Sequence, residues 1–215
     1  MAPSLADLER SLNLLLGPAV NSAAALPRAI AMTDVERAPD PALLLHGLPA
    51  GGALILRERN SGRLAAAARH WVPAAHRAGR RVLIAGDARL ALAVGADGVH
   101  LSEAQLRRRP ETKSVRLRPG WVVTASAHGA GALLRAAGAG ADAALLSPVF
   151  PTASHPDVPA LGALRFAALA DLAPIAIFAL GGVTAASLRR LGGSSAAGIA
   201  GIGLFLADSD ALTSA

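Results

Sequence analysis

The sequence predicts an α/β protein, a single-domain (β/α)8 TIM barrel with an extra N-terminal helix. Three observations lead to this prediction. Eight short apolar runs alternate with alanine-rich helical patterns, as strands and crossover helices do in a parallel sheet. The chain has 215 residues, 53% of them hydrophobic, which is enough for one sizeable core. No apolar run is followed directly by Gly-x-Gly-x-x-Gly, which disfavours the doubly wound dinucleotide-binding sheet, the other architecture with this alternation.

The predicted strands are short apolar runs, one for each βα unit of the barrel. Such runs are typical of strands that are buried on both faces, as in a parallel sheet covered by helices. We place the eight strands at residues 29–32, 53–56, 82–85, 98–101, 122–126, 143–146, 175–179 and 199–202.

Apolar residues at helical spacing precede and separate these runs. The first series is Leu5, Leu8, Leu12 and Leu15, near the N-terminus. The other predicted helices span residues 41–46, 62–78, 89–94, 103–108, 129–139, 161–172 and 185–191. Glycines follow several of these patterns, where a left-handed C-terminal cap is expected: Gly79, Gly95, Gly140 and Gly192.

The whole chain, residues 1–215, is predicted to form one domain. Residues 1–27 are a helical extension, residues 28–206 the barrel and residues 207–215 a short C-terminal tail. The stretch after the eighth run, 204–215, is short for a full closing helix. We therefore expect the N-terminal helix to pack beside it and to close the outer ring of helices.

Composition excludes several classes of protein. The absence of cysteine removes disulfide frameworks, thiolate metal sites and cysteine nucleophiles. No stretch reaches the roughly 18 uninterrupted apolar residues of a membrane-spanning helix, and the N-terminal pattern does not resemble a signal peptide, so we predict a cytoplasmic protein without a membrane partner. The net charge of +6 comes mainly from arginine, with Lys113 the only lysine. Because aromatic residues make up only 3% of the chain, no nucleic-acid partner is predicted. A homo-oligomer remains an open alternative.

Functional residues of such a barrel lie where the strands end. After the second run, Arg57 and Arg59 flank Glu58 at alternate positions, a spacing that would let two guanidinium groups grip a diphosphate. An ion pair of these arginines with Glu58 or Asp34 is the alternative interpretation.

Glycines at the last two strand ends indicate a phosphate site. Gly181 and Gly182 follow the seventh run and Gly203 the eighth, and unobstructed backbone N–H groups at these positions commonly bind phosphate in barrels. A pair of tight turns is the alternative. Among the histidines, only His128 lies just past a strand end, which makes it the candidate for proton transfer.

At this point the motifs resemble a known family. The matching segments are residues 95–101 (Gly-Ala-Asp-Gly-Val-His-Leu), 126–128 (Ser-Ala-His), 140–142 (Gly-Ala-Asp), 147–152 (Ser-Pro-Val-Phe-Pro-Thr) and 179–183 (Ala-Leu-Gly-Gly-Val). Their order and spacing resemble those of thiamine phosphate synthases and the related thiazole tautomerases, and Thr33-Asp34 and residues 56–59 extend the likeness. The resemblance covers roughly residues 29–206.

The resemblance implies small phosphorylated heterocyclic substrates. In the synthases a hydroxymethylpyrimidine diphosphate ionises, and the nitrogen of a thiazole phosphate captures the pyrimidine cation, while magnesium and basic residues stabilise the departing diphosphate. Carried over residue by residue, the likeness assigns two groups to this chain. They are the diphosphate-binding Arg57 and Arg59, and the thiazole-phosphate-binding Thr152, Ser154, Gly182, Ile202 and Gly203. Ser126 and His128, at the end of the fifth run, are the candidate catalytic residues.

The sequence departs from the family where magnesium would bind. Gly86 and Gln105 stand where the synthases carry two aspartates, so the cofactor that the resemblance implies lacks its expected ligands. Asp87 and Glu103 are the nearest candidate metal ligands, because magnesium needs only one or two carboxylates when phosphates supply the rest. Alternatively, Asp87 caps a helix and Glu103 occupies the first turn of the next one.

Three functions therefore stay open at this point. The leading hypothesis is a thiamine phosphate synthase-like transferase that releases diphosphate. A metal-free thiazole tautomerase-like isomerase would use His128 as its general acid or base. The third is a non-catalytic barrel that binds a phosphorylated ligand.

Overall fold

The computed structural model describes residues 5–16, 26–34, 40–108, 118–152 and 157–206. Eight parallel strands pair in sequence order, and β8 pairs with β1, so the sheet closes into a barrel. The strands are β1 (Ala29–Met32), β2 (Ala53–Leu56), β3 (Arg81–Ala85), β4 (Gly98–Leu101), β5 (Val122–Ala127), β6 (Ala143–Leu146), β7 (Ala176–Ala179) and β8 (Ala196–Gly201). The predicted fold class is confirmed.

The helices surround this barrel. They are α1 (Leu5–Leu16), α2 (Pro41–Gly47), α3 (Ser61–Arg77), α4 (Ala88–Ala93), α5 (Glu103–Arg108), α6 (Ala130–Gly138), α7 (Gly162–Leu172) and α8 (Ala185–Leu188), with 3-10 turns at Arg189–Leu191 and Gly203–Phe205. The N-terminal helix α1 contacts α8 and β8. Residues 207–215 lie outside the described residues, so the division into extension, barrel and tail stays a prediction. None of the helices in the described residues has both the length and the hydropathy needed to cross a bilayer.

The core has two parts, separated by the sheet. Alternate residues of the strands fill the barrel interior, among them Ile30, Ile55, Leu145 and Phe178, all fully buried. The larger part lies between the outer face of the sheet and the helices. Because adjacent strand residues face opposite parts of the core, nearly every strand position is apolar.

Two sequence predictions fail at the last βα unit. Gly192 does not have a left-handed backbone: its φ is −55°, and Gly193 has φ +80° instead. The 3-10 turn ends at Leu191, where the helical pattern also ends, but Gly192 follows it with an extended ψ of 136°, so the positive φ falls on the second glycine. The eighth strand also begins three residues before its predicted start, at Ala196. Its first half is Ala-Ala-Gly, which lacks the β-branched residues that mark a strand in a sequence.

The amino-terminal end of the barrel uses one arrangement twice. In the two Gly-Ala-Asp segments, Gly95 and Gly140 have φ near +70° and end a helix. The aspartate that follows accepts a hydrogen bond from a backbone N–H of the preceding strand, Asp97 Oδ2 from Val82 and Asp142 Oδ2 from Val123, both at 2.7 Å. Each aspartate thereby joins the start of one strand to its neighbour.

Candidate active site at the carboxyl ends of the strands

Arg57 follows β2 and is fixed by the end of β1. The Thr33 hydroxyl accepts a hydrogen bond from the Arg57 backbone N–H at 2.8 Å and donates one to the Arg57 carbonyl at 3.1 Å. The guanidinium pairs with Asp34 at 2.7 Å, and 48% of the Arg57 side chain remains exposed. The ion pair with Asp34, which was the alternative interpretation, therefore forms. It still leaves Arg57 accessible to an anion.

Arg59 lies on the exposed part of the same loop. Glu58 does not pair with either guanidinium within the described residues. Its Oε1 accepts hydrogen bonds from the backbone N–H groups of Arg59 and Asn60, at 2.6 and 3.1 Å. This arrangement fixes the loop and leaves the Arg59 guanidinium without a partner among the residues that the structure describes.

His100 lies inside the barrel and was missed by the sequence interpretation, which considered only strand ends and the loops after them. Its Nδ1 is 2.9 Å from Thr124 Oγ1 and its Nε2 is 3.0 Å from Ser126 Oγ. Burial, and secondarily the charge of Arg57, lowers the pKa of His100 to about 4. His100 is thus neutral at physiological pH and holds the hydroxyl of Ser126, a predicted catalytic residue. The alternation of Val99 and Leu101 on the outer face is the signal that places His100 inside.

His128 belongs to a charged cluster beside β5. Glu103 Oε2 is 2.7 Å from His128 Nδ1, and Glu103 Oε1 accepts hydrogen bonds from Arg107 at 2.5 Å and Arg135 at 2.8 Å. Burial by itself would raise the pKa of Glu103, but the hydrogen bonds and charges of His128 and Arg107 lower it to about 2. With Glu103 ionised, Nδ1 of His128 carries a proton, and Nε2 is the nitrogen left to accept one in the neutral ring.

Gly86 and Gln105 touch each other at the ends of β3 and β4. Gln105 Nε2 donates a hydrogen bond to the Gly86 carbonyl at 3.1 Å. Gln105 Oε1 accepts from the Ser102 backbone N–H at 3.0 Å, and the Ser102 hydroxyl accepts from the Gln105 backbone N–H at 3.2 Å. Ser102 and Gln105 therefore form a capping box at the start of α5.

The two candidate metal ligands have structural partners instead. Asp87 is the N-cap of α4, and its Oδ1 accepts from the Leu90 backbone N–H at 2.8 Å. Both oxygens of Glu103 are engaged by the cluster around His128. Within the described residues, no group of three or more His, Asp or Glu side chains could hold a metal ion. The residues at these strand ends do not fit the magnesium that the resemblance implies.

The glycines after β7 form a close-packed turn. Gly181 and Gly182 have φ of +89° and +64°, and a Cβ on Gly182 would lie 2.4 Å from the Pro151 carbonyl oxygen. Gly203 is different, because a Cβ there would meet no atom within 4 Å, so the space in front of it is open. Ile202 precedes it, and Thr152 lies on the loop that packs against Gly182. Ser154 lies outside the described residues.

The site positions lie at one end of the barrel, on neighbouring strands. The order β7, β8, β1, β2 brings the ends that carry Gly182, Gly203, Asp34 and Arg57 into one continuous arc. His100 and Ser126, on β4 and β5, face the interior below that end. This geometry offers two regions for anions at one rim.

Comparison with known proteins agrees with the motifs. A family model described as thiamine monophosphate synthase matches residues 30–205. The chain belongs to the thiamine monophosphate synthase family. A putative thiamine-phosphate synthase of Geobacter sulfurreducens is 34% identical over 83% of this chain and 86% of its own length. A putative thiamine-phosphate synthase 2 of Aquifex aeolicus is 38% identical over 54% of this chain, a match that spans 61% of that protein.

Solved structures show the same fold as this member of the synthase family. A thiamine phosphate pyrophosphorylase from Pyrococcus furiosus superposes with a TM-score of 0.68 at 22% identity, over 81% of this chain and 85% of that one. A structure described as native KDPGal superposes with a TM-score of 0.53 at 20% identity, over 86% of this chain and 85% of the other. At these identities the likeness establishes the barrel alone.

Proposed function

We propose that this chain is a thiamine phosphate synthase, a transferase of thiamine biosynthesis. It joins a hydroxymethylpyrimidine diphosphate to a thiazole phosphate and releases diphosphate. The observation that carries the proposal is the arc of strand ends in this member of the synthase family. Accessible guanidinium groups lie at the end of β2, and a glycine-lined opening lies at the end of β8. Two regions that can bind anions suit a reaction between two phosphorylated substrates.

The reaction needs electrostatic help more than proton transfer. The bond between the pyrimidine methylene carbon and the diphosphate oxygen breaks, and its electron pair leaves with the diphosphate. The lone pair of the thiazole nitrogen then forms the new carbon–nitrogen bond. Cationic groups beside the leaving oxygen stabilise the charge that develops there. The exposure of Arg57 at the end of β2, and of Arg59 two residues later, supports this role for the two arginines.

The barrel interior suits the cationic fragment of this reaction. A pyrimidine bound above His100 meets a neutral imidazole at physiological pH, because burial and Arg57 keep the pKa of His100 at about 4. A protonated histidine at this position would oppose the positive charge that forms on the pyrimidine. His100 instead orients the Ser126 hydroxyl, which can present an oxygen lone pair to that fragment.

Direct assay of the reaction tests the proposal. Purified protein is incubated with the pyrimidine diphosphate and the thiazole phosphate, with and without magnesium, and thiamine phosphate and diphosphate are quantified by chromatography. We expect equal amounts of both products. No product above the enzyme-free blank at high enzyme concentration would reject the proposed transferase.

A second assay separates the synthase from the other two hypotheses. Aromatisation of a thiazole carboxylate phosphate without any transfer would identify the tautomerase, and loss of that activity in His128→Ala would assign its acid–base group. A rise in melting temperature with thiazole phosphate, and no turnover in either assay, would identify a binding protein. The cytoplasmic location and any homo-oligomer stay predictions.

A further inference from the structure

We infer that this chain binds the diphosphate of its substrate without a divalent cation, because Gln105 and Gly86 close the position between β3 and β4 and Arg57 and Arg59 supply the positive charge. The inference rests on the proposed function for the identity of the substrate. It goes beyond that function, since the family resemblance implies magnesium at this position.

Gln105 fills the place of a metal ligand. Its Oε1 already accepts hydrogen bonds from the backbone N–H and the hydroxyl of Ser102, at 3.0 and 3.1 Å, and its Nε2 donates to Gly86. A Cβ on Gly86 would lie only 2.9 Å from Gln105 Nε2. The carboxamide therefore occupies the space into which a side chain at position 86 would project.

The neighbouring carboxylates already accept hydrogen bonds from other groups. Glu103 is buried and accepts hydrogen bonds from Arg107, His128 and Arg135, so turning it toward a metal would leave three basic groups without their shared partner. Asp87 caps α4 through Oδ1, which leaves at most one of its oxygens for a cation. Magnesium requires near-octahedral oxygen ligation, and a single carboxylate oxygen is a weak protein contribution to it.

Two permanent cations, Arg57 and Arg59, follow β2, the strand next to β3. Arg57 remains about half exposed while it pairs with Asp34, and the guanidinium of Arg59 has no partner within the described residues. Guanidinium groups stay charged at every physiological pH and bind phosphate oxygens through paired N–H donors. A diphosphate that engages both arginines needs no metal to offset part of its charge.

Binding of inorganic diphosphate tests this inference independently of turnover. Its dissociation constant is measured by calorimetry, once in EDTA and once in excess MgCl2. We expect binding in EDTA, at least tenfold weaker in Arg57→Gln and in Arg59→Gln, and no tightening by magnesium. Arg69→Gln, on the exposed face of α3, is the matched control and should bind like the wild type. Melting curves of all variants establish that they are folded.

Two outcomes of the calorimetry would overturn the inference. One is diphosphate binding that is undetectable in EDTA, and the other is binding that tightens tenfold or more in magnesium. The synthase assay gives a separate readout: product formation in EDTA at a rate within twofold of that in magnesium supports the inference, whereas product formed only with magnesium contradicts it. If no product forms under either condition, the proposed function fails, and the calorimetry still decides whether diphosphate is bound without a metal.

Discussion

The two ends of the barrel use carboxylates in different ways. At the amino-terminal end, Asp97 and Asp142 each accept a hydrogen bond from a backbone N–H of the adjacent strand, and Asp97 Oδ2 is also 2.8 Å from His76 Nε2. At the carboxyl end, Asp34 and Glu103 pair with arginine and histidine side chains that stay partly exposed. The first arrangement joins strands, and the second positions charges that a ligand can reach. Substitutions at the two ends should therefore affect different properties.

The largest effect is expected at the carboxyl end. Arg57→Gln should lower kcat/KM of the proposed transfer by about 10²–10³-fold, because one preorganised charge that stabilises a transition state contributes about 3–4 kcal/mol. The melting temperature should stay close to that of the wild type, since the Arg57 side chain is about half exposed. Steady-state kinetics and a thermal melt are measured on the same preparation. A large fall in melting temperature with little loss of activity would break the distinction between the two ends.

The second prediction concerns the barrel interior between them. In the folded state the pKa of His100 is about 4, below the ordinary 6.5, so the neutral form is favoured. The contribution of His100 to the free energy of unfolding is therefore fully present above pH 6.5. It is lost as the pH falls to 4, by about 3 kcal/mol for a group of this kind. Urea titrations from pH 7 to 4 should show a smaller loss in His100→Asn. If the unfolding free energies of the two proteins fell in parallel with pH, His100 would not be the cause of the acid sensitivity.

At the amino-terminal end the expected effect is on stability alone. Asp97→Ala and Asp142→Ala each leave a partly buried strand N–H unsatisfied, which should cost about 1–3 kcal/mol of unfolding free energy. The activity per folded molecule should not change. Asp171→Ala is the matched control, because Asp171 accepts a longer hydrogen bond, 3.3 Å from the exposed Ser195 N–H. If Asp171→Ala lost as much unfolding free energy as Asp97→Ala and Asp142→Ala, the hydrogen bonds to the strands would not be the cause of the destabilisation.

The smallest effect is expected at Glu103. Its folded-state pKa is about 2 against the ordinary 4.5, so the charged form stabilises the protein above pH 4.5 and this contribution disappears as the pH falls toward 2. Glu103→Gln should be less stable than the wild type by about 1 kcal/mol at pH 7, because its partners are largely solvated. The difference in unfolding free energy between the two proteins should narrow below pH 4.5 in denaturant titrations. A difference that widens on acidification would contradict the assigned charge state of Glu103.

The fold could be predicted because its signals are local. The runs at 98–101 and 143–146 follow Gly-Ala-Asp segments, and both strands begin and end where the sequence places them. The start of β8 was predicted wrongly, because its first residues form a strand through contacts with neighbouring strands and not through their own strand propensity. A Cβ on Gly198 would lie 2.4 Å from the Phe178 ring, so the small residues of β8 make room for β7.

The candidate site could be predicted only where residues follow a strand directly. Arg57 and His128 are such residues, and position alone identified them. The partners of His128 could not be found in this way, because Glu103 lies 25 residues earlier in the chain and Arg135 contacts Glu103 across 32 residues. His100 needed the inward alternation of β4, which becomes informative only when the barrel closes.

The contact between Gln105 and Gly86 also makes substitutions at these two positions depend on each other. An aspartate introduced at position 86 would meet the Gln105 carboxamide, although aspartate tolerates the φ of +74° better than most residues do. Shortening Gln105 first would remove the obstacle at the expense of its bond to the Gly86 carbonyl. Residues 86 and 105 are therefore coupled, because a side chain at either position changes the hydrogen bonding of the other.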